Sequence, residues 1–192
     1  PKLQGVMGRV YAKVANEPGD VAAAIEEHYR PTYSGGRLPA TPTGAVLAIA
    51  DKLDSICGCF AVGLKPTGAS DPYALRRQGI GIINIMLNKN FSISLNQMIT
   101  LALKPFADKA QNSIDAIALD ILTFLKNRIS RQLVDEGFSK DVIAAIINTG
   151  ANSVPDVWSR VKALQGHKGA PDFEPLAVAF KRVVNIMRKA EE

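Results

Sequence analysis

The sequence predicts an all-α protein built from several packed helices. Apolar residues recur at spacings of three and four along almost every segment, and no segment alternates between apolar and polar residues as a strand would. The 192 residues, 47% of them hydrophobic and 21% charged, suffice for about one domain, or for one domain and part of a second. The mean hydropathy is +0.05. Because no apolar run reaches the roughly 20 residues that cross a bilayer, we expect no membrane span.

The first half of the chain is predicted to begin with a helix, a long loop and a second helix. The first helix covers 21–29, after the turn-forming residues 18–20, and Pro31 ends it. The loop over 30–43 contains three prolines and two adjacent glycines, and a loop of that length is usually functional. Thr41 followed by Pro42 is typical of a helix start, and Gly63 predicts where the second helix ends.

This second helix has the clearest apolar stripe in the chain. Polar residues interrupt the stripe on one side, where we expect Asp51, Lys52 and Ser55 to turn toward polar surroundings. The stripe itself consists of Val46, Ile49, Ala50, Leu53, Ile56, Cys57 and Phe60.

Three further helices are predicted in the middle of the chain. Asp71 is placed to cap a helix over 73–87, in which Gly79 and Gly81 indicate close packing against a neighbour. Ser94 begins the next helix, which we expect to be kinked or interrupted near Pro105. The third covers 114–136, starts after Ser113 and ends at Gly137. One face of it carries Ile114, Ile117, Ile121, Leu125, Arg128 and Ile129.

Start signals predict three more helices toward the end. Ser139 precedes a short helix that extends to 147, Ser153 with Pro155 precedes one that extends to 164, and Asp172 precedes one over 173–189. Residues 1–20 carry no clear signal of an element. No internal repeat is present.

The composition gives few candidates for catalysis or metal binding. The two cysteines, Cys57 and Cys59, cannot form a disulfide framework, which favours a reducing, cytoplasmic location and core packing for both thiols. The two histidines lie far apart in the sequence. Asp51 and Asp54, three residues apart on a helix, could share a metal or a proton, but a solvated helix face is the simpler interpretation. We therefore predict no catalytic and no metal-binding residues in this chain.

The charge is mildly basic, which is compatible with a polyanionic partner but does not require one. The formal net charge is +5, from 23 Lys and Arg against 18 Asp and Glu. Arg76 and Arg77 follow a predicted helix N-terminus, whose unpaired amides also attract anions. An ordinary charged collar or an internal ion pair would use the same two residues. The remaining candidate cations are Arg37, Lys65, Lys181 and Arg182.

Several of these segments, taken together, resemble the β subunit of bacterial heterotetrameric glycyl-tRNA synthetase. The resemblance is carried by LPATPTG at 38–44, LAIADKLD at 47–54, Gly63, PTG at 66–68 and DPYALRR at 71–77. Matching residues also occur at 4–8, 28–31 and 181–186, in the same order. The similarity spans essentially the whole chain, although 95–170 is supported mainly by order and helical character. Members of that family are several times longer, so we expect an internal piece of such a subunit.

The resemblance implies a division of labour between subunits. ATP and glycine are activated on the α subunit, so we expect no cofactor here and place ATP and magnesium on that partner. The β subunit binds and positions tRNA. The implied partners are therefore glycine-specific tRNA and the α subunit in an α2β2 complex, with no membrane and no DNA.

The resemblance also implies an HD-like helical domain, a fold that in other proteins holds a catalytic metal. Asp51 would match the last ligand of that motif, but the chain contains no His-Asp dipeptide, and a lone aspartate cannot hold a catalytic metal. We expect an HD-like region over 1–92, a helical body over 93–170, and the start of an anticodon-binding helical domain over 171–192.

The predicted function is that of a tRNA-binding and scaffolding part of the glycine–tRNA ligase β subunit, inactive by itself. The tRNA contacts would come from Arg37, Lys65, Arg76, Arg77, Lys181 and Arg182. Two alternatives remain open: a metal-dependent phosphohydrolase of HD type, and a purely structural helical module that contacts only protein.

Overall fold

A computed structural model describes residues 3–190, which form nine α-helices and a short 3₁₀ helix, with no β-strand in that range. The all-α prediction is confirmed. The helices are α1 (Gln4–Val14), α2 (Gly19–Glu27), α3 (Pro42–Ala61), α4 (Leu75–Lys89), α5 (Leu95–Leu103), the 3₁₀ helix (Lys104–Lys109), α6 (Ile114–Asp135), α7 (Lys140–Asn148), α8 (Val154–His167) and α9 (Phe173–Ala190). The predicted regions 1–92 and 171–192 extend to residues 1–2 and 191–192, which lie outside the described residues.

Helix α3 lies at the centre of the fold. It packs against α2, α4, α5 and α6, while α1 packs on α2, and α7 and α8 pack on each other. One continuous apolar core runs through α3 to α8, from Ala45 to Val161. It includes the predicted α6 face, in which Ile117, Ile121, Leu125 and Ile129 are all buried.

The predicted helix starts are confirmed in detail at three positions. The side chain of Thr41 accepts a hydrogen bond from the Gly44 N–H at 3.0 Å, and Ser94 and Ser113 cap α5 and α6 in the same way. Each cap satisfies an amide that the helix itself cannot pair. Ser139 and Ser153 also stand at helix starts, but neither side chain makes a capping bond.

Other boundaries and faces differ from the predictions. Helix α4 begins at Leu75 rather than 73, because Ala74 adopts a left-handed conformation with φ of 54°. Helix α1 fills a stretch in which no element was assigned. Val46 and Ala50, both predicted in the stripe of α3, are exposed. The prediction of a polar setting for Lys52 is wrong, since only 5% of that residue is exposed.

The buried Lys52 is explained by its contacts. Its Nζ donates a hydrogen bond to the His28 carbonyl at 2.9 Å, and its stem runs along Gly81, where an added Cβ would lie 3.3 Å from the Lys52 Cδ. The glycine in α4 therefore makes room for the lysine, which ties the end of α2 to the middle of α3. This is the close packing that Gly81 predicted, with a lysine stem as the neighbour.

Candidate nucleic-acid interface

The N-terminus of α4 is built around Asp71. Its carboxylate accepts hydrogen bonds from the Leu75 N–H at 2.8 Å and the Arg76 N–H at 3.0 Å, which confirms the predicted cap. The left-handed turn at Ala74 brings the carboxylate under these amides. The helix therefore starts with Arg76 half-buried and Arg77 exposed beside the cap.

Helix α6 adds two arginines, Arg128 and Arg131, that are not among the predicted site residues. Burial lowers the pKa of Arg128 below its ordinary value, and the positive charges of Arg76 and Arg131 lower it further, whereas the charge of Asp71 acts in the opposite direction. Arg128 and Arg131 line one cavity, and Arg76 stands at the start of α4, which packs against α6. Arg76 and Arg131 each lie within electrostatic range of Arg128. We call these three residues the arginine cluster.

Arg128 is held in place without an acidic partner of its own. Its guanidinium lies over the ring of Phe124, 5.7 Å from the centroid, and its buried Nε has no hydrogen-bond partner among the described residues. A cation over an aromatic ring is stabilised without losing its charge. The sequence indicates Arg128 in one way only: it lies on the apolar face of α6. An arginine among buried apolar residues is unusual and points to a specific role.

The acidic groups near the cluster do not neutralise it. Asp71 is engaged by the backbone amides of α4, and Arg131 faces Asp135 across 3.8 Å in a pair whose two side chains are mostly exposed. Such exposed pairs contribute little and are screened by salt. The cluster therefore keeps an excess of positive charge.

A cavity of about 200 Å³ opens beside the cluster. Its lining includes Arg128 and Arg131 together with Asp135, the exposed partner of Arg131. The rest of the lining consists of Ser34 of the long loop, Ile80, Asn84 and Gln132. The Gln132 Nε2 donates to the Asn84 Oδ1 at 2.9 Å, which fixes the polar wall between α4 and α6. Guanidinium groups and polar side chains in one cavity form a surface suited to a phosphate group.

The structure does not bring the other predicted cations into the cluster. Lys65 forms an ion pair with Asp120 of α6. Arg37 is exposed in the loop, and Lys181 and Arg182 are exposed on α9.

Asp51 lies elsewhere, at the edge of a groove that also contains His28 and Asp54. Within residues 3–190, no three His, Cys, Asp or Glu side chains come close enough together to share a metal ion. The geometry thus offers no ligand set for an HD-type hydrolase in the described part of the chain.

Neither thiol has the setting of a nucleophile. Burial, together with the charge of Asp54, raises the pKa of Cys57 to about 12, and burial also raises that of Cys59. A thiol must ionise to attack, and these two are held in the protonated form. The core-packing interpretation is confirmed for Cys57, which is fully buried, and Cys59 is half-buried.

The helical fold and the arginine cluster define a helical protein with a cationic surface where α4 and α6 meet. No helix among the described residues is both long and apolar enough to cross a membrane. The chain belongs to the glycyl-tRNA synthetase beta subunit family, whose model matches residues 1–148.

Individual relatives agree with this assignment. The chain is 53% identical over 189 residues to a glycine–tRNA ligase beta subunit of Desulforapulum autotrophicum, covering 98% of this chain and 27% of that protein. It is 50% identical over 191 residues to the subunit of Desulfatibacillum aliphaticivorans, covering 100% of this chain and 28% of the relative. The corresponding subunit of Geobacter metallireducens is 48% identical over 189 residues. The chain therefore spans little more than a quarter of the length of these curated relatives.

Proposed function

We propose that this chain is part of a glycine–tRNA ligase β subunit and binds glycine-specific tRNA through phosphate groups at the arginine cluster. The observation that carries the proposal is the pair Arg128 and Arg131 on one cavity beside the contact of α4 with α6. The relatives of the chain are named for a tRNA substrate. Phosphate contacts fix the position of a nucleic acid without reading its sequence. We therefore assign this surface to holding tRNA in place.

The remaining predicted roles belong to the same proposal. Arg77 and Arg37 would extend the contact along the tRNA backbone, and Lys65, Lys181 and Arg182 would make weaker, exposed contacts. The α subunit would carry ATP, magnesium and the chemistry of glycylation, in the cytoplasm, while this chain supports the complex. The chain by itself would be inactive.

Salt dependence of tRNA binding tests the proposal. Binding of glycine-specific tRNA and of a non-cognate tRNA is measured between about 50 and 200 mM salt, where phosphate-dominated affinity falls steeply. The variants Arg76→Ala, Arg128→Ala and Arg131→Ala should each weaken binding to both tRNAs. Each should also reduce the slope of log affinity against log salt by about one.

The control is Lys13→Ala, which removes an exposed cation from the last turn of α1. It should leave the slope nearly unchanged. Equal binding by all three cluster variants and the unaltered chain would overturn the assignment of this surface to tRNA. A steep salt dependence that survives in those variants would place the contact on other cations.

A further inference from the structure

The long loop between α2 and α3 places an aromatic ring beside the cavity that Arg128 and Arg131 line, which we call the arginine cavity. Ser34 of the loop lines the same cavity. The preceding residue, Tyr33, has 63% of its surface exposed. Because consecutive Cα atoms lie about 3.8 Å apart, the tyrosine starts one residue away from the cavity wall. Cationic and aromatic groups are therefore neighbours at this point of the surface.

A tight turn fixes Tyr33 relative to Ser34. The Gly36 N–H donates a hydrogen bond to the Tyr33 carbonyl at 3.0 Å, which closes a four-residue turn over 33–36. Gly35 has a φ of 76°, a left-handed conformation that is typical of the third position of such a turn and that glycine adopts without strain. The ring and the cavity wall are therefore carried by one defined piece of backbone.

The backbone of Gly36 supports the tyrosine ring. A Cβ added at Gly36 would lie 3.4 Å from both Cδ1 and Cε1 of Tyr33, and 3.0 Å from the Tyr33 carbonyl oxygen. Gly36 is buried, whereas Tyr33 is exposed. The ring thus lies against the loop and presents the rest of its surface outward. A ring that is already held in place loses little conformational freedom when a second ring stacks on it.

Both ends of the loop are attached to α4. At its start, the buried Pro31 lies against Gly81, where an added Cβ would be 3.4 Å from the Pro31 Cδ. At its end, the Lys89 Nζ donates a hydrogen bond to the Ala40 carbonyl at 2.7 Å. Helix α4 in turn packs against α6, which carries the arginines of the cavity. The loop and these arginines therefore belong to one packed unit.

We propose that the base of an unpaired RNA nucleotide stacks on Tyr33 while a phosphate of the same strand lies at Arg128 and Arg131. The inference rests on the proposed function, because it names the part of an RNA that the arginine cluster takes. A cationic groove with an aromatic side chain is the combination that binds single-stranded nucleic acid. In a duplex each base is covered by its neighbours, so only an unstacked base can lie on the ring. The site therefore takes a single-stranded segment of RNA in preference to a helical stem.

Binding of a single-stranded RNA and of a blunt-ended RNA duplex with the same number of phosphates tests the inference. The complete subunit is used, so that the segments outside this chain are present, and circular dichroism confirms that each variant is folded. Tyr33→Ala should weaken binding of the single strand at least about fivefold, through the loss of one stacked base. The slope of log affinity against log salt should not change, because no phosphate contact is removed.

Two further variants separate stacking from other effects of the substitution. Tyr33→Phe keeps the ring and should bind the single strand as the unaltered subunit does. Tyr11→Ala is the matched control, because Tyr11 lies on α1 with 67% of its surface exposed and should contribute nothing to RNA binding. The affinity for the duplex should be the same in all of these variants.

The outcomes distinguish this inference from the proposed function. If Arg128→Ala and Arg131→Ala weaken binding but Tyr33→Ala does not, the inference is overturned and the proposed function stands. If the arginine variants bind as the unaltered subunit does, both are overturned. An equal loss of single-strand and duplex affinity on Tyr33→Ala overturns the inference, because no open base would then be involved. Binding of free adenosine monophosphate as tightly as the single strand also overturns it, because the site would then belong to a mononucleotide.

Discussion

Thr41 donates two hydrogen bonds to one carboxylate oxygen of Glu27, from its backbone N–H at 2.9 Å and from its hydroxyl at 2.7 Å. Only 6% of Glu27 is exposed. The same hydroxyl accepts from the Gly44 N–H, so a single threonine caps α3 and fastens it to the last turn of α2. The long loop between these helices is therefore closed at its base by a buried charge with hydrogen-bonded partners.

This contact predicts an acid-sensitive contribution to stability. Burial raises the pKa of Glu27, but the hydrogen bonds from Thr41 and the charge of Arg30 outweigh it, so the pKa lies below its ordinary value of 4.5. A lowered carboxyl pKa stabilises the fold above about pH 4.5, and the stabilisation is lost as the pH falls through the folded-state pKa. Glu27→Gln should therefore lower the free energy of unfolding by about 1–3 kcal/mol at pH 7, and by less in acid.

Urea unfolding at pH 7 and pH 3 checks this expectation. Glu17→Gln, at an exposed position between α1 and α2, serves as the control and should have little effect at either pH. A loss of equal size at both pH values for Glu27→Gln would mean that shape, rather than charge, holds the contact together.

Gly44 is predicted to be sterically required. A Cβ at this position would lie 2.3 Å from the Glu27 Oε2 and 2.7 Å from the Glu27 Cβ, closer than such atoms approach. Gly44→Ala should therefore push the Glu27 carboxylate away from Thr41 and cost about 1–3 kcal/mol. Gly19→Ala is the matched control, because an added Cβ there meets nothing within 4 Å. Thermal unfolding of both variants tests this expectation. Equal melting temperatures for Gly44→Ala and Gly19→Ala would contradict it.

Lys52 predicts a pH dependence at the alkaline end. Burial lowers its pKa below the ordinary value of 10.5, although the charge of Asp51 acts in the opposite direction. Below the folded-state pKa both states are protonated and the full cost of burying the ammonium is present. As the pH rises toward 10.5 the folded state releases its proton first, so this cost declines and stability rises.

Comparison of the unaltered chain with Lys52→Met isolates this effect. The free energy of unfolding of the unaltered chain, relative to that of Lys52→Met, should increase between pH 7 and pH 10. The slope of this increase is at most about 1.4 kcal/mol per pH unit for one proton. Lys162→Met, at an exposed position on α8, should show no such trend. If the two chains instead differed in free energy of unfolding by the same amount at every pH, the lowered pKa of the buried Lys52 would be contradicted.

Local signals predicted most of the fold. Thr41, Ser94 and Ser113 fix helix starts by bonding to amides within three residues, so the sequence alone was sufficient there. Lys52 was misassigned because its burial depends on a distant partner, the His28 carbonyl 24 residues away. Helix α1 was missed because neither Leu3 nor any acidic residue of the first turn gives a start signal.

Of the candidate site, the sequence predicted the contribution of α4 but not that of α6. Arg76 follows a recognisable cap, so the contribution of α4 could be inferred from its own segment. Arg128 and Arg131 come from a helix about 50 residues later, and only the packing of α6 beside α4 brings them to Arg76. Lys65 was selected for its charge, yet its partner Asp120 also lies on α6 and is equally distant in sequence.

Arg128 gives the most direct way to separate function from stability. A cation kept for binding should cost the fold something, because Arg128 is partly desolvated beside two like charges and its Nε lacks a hydrogen-bond partner in the described chain. Arg128→Met keeps an unbranched side chain over Phe124 while removing the charge. We expect this variant to unfold at the same or a higher temperature and to bind tRNA more weakly at low salt.

Arg160→Met is the matched control. Because Arg160 donates a hydrogen bond to the Gly150 carbonyl at 3.0 Å, this variant should lose stability without losing tRNA affinity. If Arg128→Met instead lowered the melting temperature and left tRNA binding unchanged, Arg128 would be a structural residue, and the binding surface would have to be sought away from α6.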